Sequence, residues 1–154
     1  MIFGEVLRKA AQEYSLALTD SQINDFNIYY QMLVEWNEKI NLTAILSPEG
    51  IEDKHFIDSL LLANQPEVKE NLVDVGSGAG FPGVLVQLFK PETKVTLMEP
   101  TGKRIVFLQE VSLALGLPCK CVKERAEEAA RKAWRESFDV ATARAVAALP
   151  ELCE

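Results

Sequence analysis

Residues 72–84 read LVDVGSGAGFPGV, with glycine at 76, 78, 80 and 83 directly after a short apolar run that carries Asp74. Glycine at the end of a strand lets the backbone turn sharply and lets a ligand come close to the main chain. Two ligand chemistries compete for such a loop. Gly78, Gly80 and Gly83 spell GxGxxG, the spacing that cradles a dinucleotide pyrophosphate. Counted from the strand, the same loop reads D-x-G-x-G-x-G over Asp74, Gly76, Gly78 and Gly80. A pyrophosphate needs free N–H donors at the start of the following helix, and Pro82 has none to give. The carboxylate of Asp74 suits a cationic ligand. S-adenosylmethionine has an ammonium, a sulfonium and no phosphate, and so fits that sign of charge. The bland alternative is a plain tight turn; four glycines in eight positions at a strand–helix junction disfavour it.

Glu99 ends the next apolar run, 23 residues after Gly76. A carboxylate there can accept hydrogen bonds from both ribose hydroxyls of either cofactor, so it marks a ribose site without choosing between them. A solvated charge at a strand end is the other reading. The backbone around Ala126 and Glu127 lies at the same sheet edge, where an adenine would sit. Lys103 and Arg104 stand at the start of a helix near the sheet's ligand edge, where cations are disfavoured, so they read as facing a ligand; were that ligand RNA, they would meet its backbone. The single histidine, His55, is either a packed, hydrogen-bonded side chain or a substrate contact. Phe81 either stacks on a ligand or plugs the core. Cys119, Cys121 and Cys153 form no CxxC and, with one histidine, build neither a disulfide framework nor a zinc site. The first two read as strand interior.

These residues need elements to hold them. Up to about residue 65 the pattern is helical. Val6, Leu7, Ala10, Ala11 and Tyr14 form one stripe; Ile23, Phe26, Tyr30, Leu33 and Val34 form a second, capped by Thr19 or Asp20. Ser47 and Pro48 open a third helix. After Pro66 strands and helices alternate: NLVDV, GVLVQLFK, KVTLME, TGKRIVFLQEVSLALGL, CKCVKE, AEEAARKAW, FDVATA and the opening of a further helix at LPELCE. Thr101 and Gly116 bracket the fourth of these segments as cap and stop. Such alternation makes a mostly parallel sheet flanked by helices. The expected architecture is a helical segment, 1–65, and a Rossmann-like domain, 66–154. Four strands are fewer than this fold usually has, so the sheet reads as short at its C-terminal end.

The 154 residues suffice for a sizeable core, and no apolar run nears the ~20 residues of a membrane span. The N-terminus reads as a helix rather than an export signal, which makes a cytoplasmic location the expectation. The net charge is −7, but it is uneven. Residues 1–70 hold five basic and twelve acidic groups, whereas residues 71–154 hold eleven of each. A local basic face is therefore open to the second part, because charge acts over only ~10 Å at moderate salt.

WNEKINLT (36–43), KHFIDSL (54–60), VDVGSGAGFPG, GKRIVFLQEV (102–111), RAE (125–127) and ARAVA (143–147) together resemble the RsmG family, formerly called glucose-inhibited division protein B. The resemblance runs from about residue 20 to the end and implies a Rossmann-like methyltransferase fold. It also implies methylation, with S-adenosylmethionine, of ring nitrogen 7 of a guanine in bacterial small-subunit ribosomal RNA. Cofactor contacts would fall on Gly76, Phe81, Ala126, Glu127 and Arg144. Arg144 would hold the cofactor's carboxylate end or an RNA phosphate, since a cation pressed on a purine that becomes positive would oppose the reaction. The acceptor nitrogen has a free lone pair and loses no proton, so no catalytic acid or base is expected. ARAVAALPE lacks the Asn/Asp-Pro-Pro-aromatic motif of amine methylases, and no cysteine stands where a cytosine carbon-5 methylase needs its nucleophile. The expected partner is the ribosomal RNA or the 30S particle, bound by a monomer without metal or membrane. A nicotinamide-dependent oxidoreductase and a catalytically silent S-adenosylmethionine-binding fragment are the alternatives.

Overall fold

A computed structural model describes residues 3–42, 52–125, 127, 128 and 138–143. Two helices come first, α1 (Phe3–Glu13) and α2 (Asp20–Asn37). A π-helical turn, Glu52–Ile57, runs into α3 (Asp58–Ala63). Then follow β1 (Asn71–Val75), α4 (Gly83–Phe89), β2 (Lys94–Met98), α5 (Gly102–Ala114), β3 (Lys120–Val122) and β4 (Val140–Ala143). The expected helix start at Ser47, most of AEEAARKAW and the LPELCE helix lie outside the described residues.

The sheet is parallel throughout, in the order β3-β2-β1-β4. The chain thus steps outward from β1 to β2 to β3 and then returns to the far side of β1. Strand order reverses between β1 and β4, and in open α/β sheets that reversal opens a crevice beyond the strands' carboxyl ends. This is the Rossmann-like arrangement expected. β1 and β2 are buried through Leu72, Val73, Val95, Leu97 and Met98, as strands covered on both faces must be. In α4, Gly83 to Leu88 are all buried. Gln87 survives there because its amide is fully used: Nε2 donates to the Thr93 carbonyl at 2.7 Å and Oε1 accepts the Val95 N–H at 3.3 Å.

The helical part packs onto this layer. A capping box starts α2: the Thr19 hydroxyl accepts the Gln22 N–H at 3.1 Å and the Gln22 side chain accepts the Thr19 N–H at 2.9 Å. Such a cap contributes ~1 kcal/mol. The buried stripe of α2 is Ile23, Phe26, Tyr29 and Leu33, so it is Tyr29 rather than Tyr30 that points inward. Tyr30 stacks on Phe3 at 4.3 Å, at the edge of the core. On α1 the buried set is Phe3, Gly4, Leu7 and Ala11. Tyr14 is not part of it and is 53% exposed, because the helix ends at Glu13 and Ser15 takes a left-handed φ of 59°. Gly116, at φ 63°, closes α5, and the Leu117 N–H reaches back to the Ser112 carbonyl at 2.8 Å.

Candidate cofactor site

Gly76, Gly78 and Gly80 take φ values of 67°, 55° and 96°, all in the region that side chains disfavour. The loop therefore winds tightly over the carboxyl end of β1. The Gly76 and Ser77 N–H groups both point to the Met98 carbonyl, at 2.8 and 3.1 Å, which stitches the loop to the end of β2. The four glycines then divide. A β-carbon on Gly78 would meet nothing closer than the Gly76 carbonyl oxygen, 3.9 Å away. A β-carbon on Gly80 would stand 2.6 Å from the Tyr29 hydroxyl and 2.7 Å from Val84. One on Gly83 would stand 2.8 Å from a carboxylate oxygen of Asp74. Gly78 is thus open to an approaching molecule. Gly80 and Gly83 let α2, α4 and β1 close upon one another.

Asp74 differs from the expectation of a carboxylate facing a cationic ligand. It is 1% exposed and turned inward. One oxygen accepts the Gly83 N–H at 3.0 Å, the other the Thr142 hydroxyl at 3.1 Å. It is the anion at the start of α4, where the positive end of the helix favours one, and it ties β1 to β4. The consequence for a dinucleotide is direct. Pro82 has no N–H, the Gly83 N–H is taken by Asp74, and the Val84 N–H goes to the Gly80 carbonyl at 2.9 Å. The donors that a pyrophosphate would need are already in use.

Glu99 is 2% exposed at the end of β2. Its Oε1 accepts the Gly78 N–H at 2.9 Å and its Oε2 the Thr101 N–H at 2.8 Å. Each carboxylate oxygen has a second acceptor position left. Thr101 has the extended backbone of an N-cap, but its hydroxyl makes no capping bond; Glu99 satisfies its main chain instead.

Tyr29 went unnoticed in the sequence and holds the loop from the other side. Its hydroxyl donates to the Ala79 carbonyl. Complete burial, and then the nearby charges of Asp74 and Cys119, push its pKa well above the usual tyrosine value, so it keeps the proton it donates. Phe81 is packed in the core: its ring lies 4.5 Å from His55, stacked at 8°, and within 5.7 Å of Tyr29 and Phe56. Its peptide bond to Pro82 is cis. His55 is accordingly a packed side chain, half-buried on Phe81. Cys119 and Cys121 lie against the core as expected, with Ser112 Oγ 3.0 Å from the first sulfur and 3.9 Å from the second.

Glu127 is exposed, and Lys103 is exposed at the start of α5 beside the half-buried Arg104. Ala126 and Arg144 lie outside the described residues. The structure therefore gathers Asp74, Gly76, Gly78, Gly80 and Glu99 at one sheet edge. To these it adds Tyr29 and Thr142. Thr142 was legible only as a polar residue in a strand; that this strand is the neighbour of β1 was not.

Residues 22–154 match the family described as rRNA small subunit methyltransferase G. A protein of Clostridium botulinum (strain Alaska E43 / Type E3) named ribosomal RNA small subunit methyltransferase G is 48% identical over 158 residues, covering 100% of this chain and 66% of that one. Proteins of the same name are 45% identical in Desulforamulus reducens, covering 96% of this chain and 63% of theirs, and 42% identical in Clostridium perfringens, covering 100% and 66%. The chain thus spans 63–66% of the length of these relatives.

Proposed function

The chain belongs to the rRNA small subunit methyltransferase G family, and from that premise we propose that it methylates ring nitrogen 7 of a guanine in small-subunit ribosomal RNA, with S-adenosylmethionine as donor. The observation that carries the cofactor reading is the open side of Gly78, 2.9 Å in main-chain hydrogen bond from the buried carboxylate of Glu99, at the sheet edge where strand order reverses. S-adenosylmethionine, when bound, supplies an electrophilic methyl group on its sulfonium.

The residues of this chain bind and align. Gly76 and Gly78 bring bare main chain up to the ligand, and Gly80 lets Tyr29 brace the turn. Glu99 uses its remaining acceptor positions on ribose hydroxyls. Asp74 acts through the loop, holding Gly83 and Thr142. Phe81 contributes main chain, since its ring is enclosed. By the family resemblance, Ala126 and Glu127 would hold the adenine, and Arg144 the cofactor's carboxylate end or an RNA phosphate. Lys103 and Arg104 meet the RNA backbone. The acceptor nitrogen loses no proton, so the site needs alignment rather than a general base. Residues 1–65 serve as a helical buttress for the methyltransferase domain, 66–154, and the protein works as a cytoplasmic monomer on the RNA or the 30S particle.

The test is incubation with methyl-labelled S-adenosylmethionine and small subunits that lack the modification. Label at a guanine ring nitrogen is expected. No transfer to any RNA would refute the reading, and binding of the cofactor without transfer would mark this chain as a cofactor-binding portion of such an enzyme. Thermal stabilisation by NAD(P) but not by S-adenosylmethionine would point to the oxidoreductase.

A further inference from the structure

The chain carries a net charge of −7, yet cations gather at the start of α5. Lys103 and Arg104 stand in its first turn. The Lys123 ammonium lies 3.4 Å from where a β-carbon on Gly102 would be. Lys39, just beyond α2, shares a cleft with Lys103 and Arg104. That cleft has a volume of about 400 Å³ and is lined by Glu38, Lys39 and Asn41 from one segment and Thr101, Lys103 and Arg104 from the other.

Three features give the cleft a purpose. Positive side chains in the first turn oppose the positive end of the helix, so stability of α5 does not account for them. Among the described residues the ion pair formed is Arg8–Asp20, and no carboxylate neutralises Lys39, Lys103 or Arg104. The walls are also held in place. Arg104 donates to the Asn41 carbonyl at 3.3 Å, Leu42 N–H bonds Asn37 Oδ1 at 2.8 Å, and Trp36 packs edge-on against Phe107 at 5.7 Å.

We propose that this cleft is a nucleotide-sized phosphodiester site for RNA: the cations take a backbone phosphate, and Glu38 and Asn41 accept hydrogen bonds from the ribose 2′-hydroxyl or base of the same nucleotide. A site for a bare anion would not include a carboxylate, whereas a nucleotide brings both an anion and donors. Position agrees with this. Thr101 lines the cleft and gives its N–H to Glu99, which in turn holds Gly78, so the RNA site shares a wall with the cofactor edge. The inference rests on the RNA methyltransferase reading and says where that RNA lies, adding Lys39 and the helical segment to the surface.

The test follows binding of a single-stranded RNA of about 12 nucleotides by fluorescence anisotropy as salt rises from about 50 to 300 mM, with S-adenosylmethionine binding measured in parallel. Each phosphate contact on a single strand contributes about 0.7 to the slope of log affinity against log salt, so the double variant K39A/K103A is expected to lose about 1.4 of it. The loss is even across RNA sequences. K69A/K94A removes the same charge from the exposed amino-terminal ends of β1 and β2 and leaves the slope as it is. The substitution Lys39→Gln, on an exposed residue, gives about half the loss. Unchanged cofactor affinity in all variants shows that they fold. If K39A/K103A keeps the wild-type slope, or K69A/K94A loses as much, the cleft is not the site. A wild-type protein that binds S-adenosylmethionine but no RNA overturns the RNA reading and the cleft with it.

Discussion

Gly78 offers a way to separate what the loop does for the fold from what it does for the ligand. Its φ is +55°, and a β-carbon there would touch nothing closer than 3.9 Å. Alanine would have to adopt the left-handed region at a cost of about 1–2 kcal/mol. At about 2–4 °C per kcal/mol for a chain of this size, Gly78→Ala should melt roughly 2–8 °C below the wild type. Asparagine enters that region more readily, so Gly78→Asn should lose less than about 1 kcal/mol. Yet its side chain fills the side left open by the glycine. If S-adenosylmethionine lies there, Gly78→Asn should bind it at least tenfold more weakly, a loss of ~1.4 kcal/mol. The contrast is Gly83→Ala, whose new carbon would press on Asp74 at 2.8 and 2.9 Å. Overpacking of that kind costs about 1–3 kcal/mol, so this variant should melt early while its folded fraction still binds the cofactor. Calorimetry gives the melting temperatures and isothermal titration the affinities. A Gly78→Asn protein that folds and binds S-adenosylmethionine as tightly as the wild type would refute the placement of the ligand.

Tyr29→Phe leaves the Ala79 carbonyl without its buried donor, which costs about 1–3 kcal/mol in chemical denaturation; a midpoint equal to that of the wild type would show that the brace carries no weight. Glu99→Gln turns an amide nitrogen toward the Gly78 or Thr101 N–H, so it should destabilise the fold by about 1–3 kcal/mol and weaken S-adenosylmethionine in titration, whereas unchanged values in both would remove Glu99 from the site. The neighbouring Cys121 thiol, and to a lesser extent Ser112, lower the Cys119 pKa to about 7 against the opposing effect of burial. Because the thiolate is the nucleophile, alkylation of Cys119 should rise with pH through about 7, and Cys121→Ala should move that rise to higher pH. Equal pH profiles in the two proteins would refute the pairing.

Among the described residues, the alternation of strands and helices was readable because β1 and β2 are short, mainly apolar runs and α5 has a glycine stop. NLVDV became β1 residue for residue, and Gly116 ended α5 as a left-handed stop should. The glycine loop and Glu99 were equally plain, since bare backbone and a carboxylate stand at successive strand ends. Directions of side chains were not. Asp74 looked like a group for a ligand, and only its distances to Gly83 and Thr142 show it serving the fold. Tyr29 and Tyr30 are neighbours of the same type, and a pattern of period 3.6 does not say which of two adjacent residues is inside when both are apolar enough. The cleft at Lys39 joins residues some sixty positions apart, and no local pattern carries that information.

The bond from Tyr29 to Ala79 spans fifty residues and joins a helix of the N-terminal part to the glycine turn. Folding linkage follows from it. A molecule that binds the ordered turn and not the open one stabilises everything that opens together with the turn, by ~2.7 kcal/mol at a hundredfold excess over its Kd. α2 belongs to that cooperative unit, although its own residues reach the turn through one phenol and the aromatic cluster behind it. Amide hydrogens along α2 should therefore exchange more slowly once the turn is occupied, and a helix of the N-terminal part becomes a reporter of ligand.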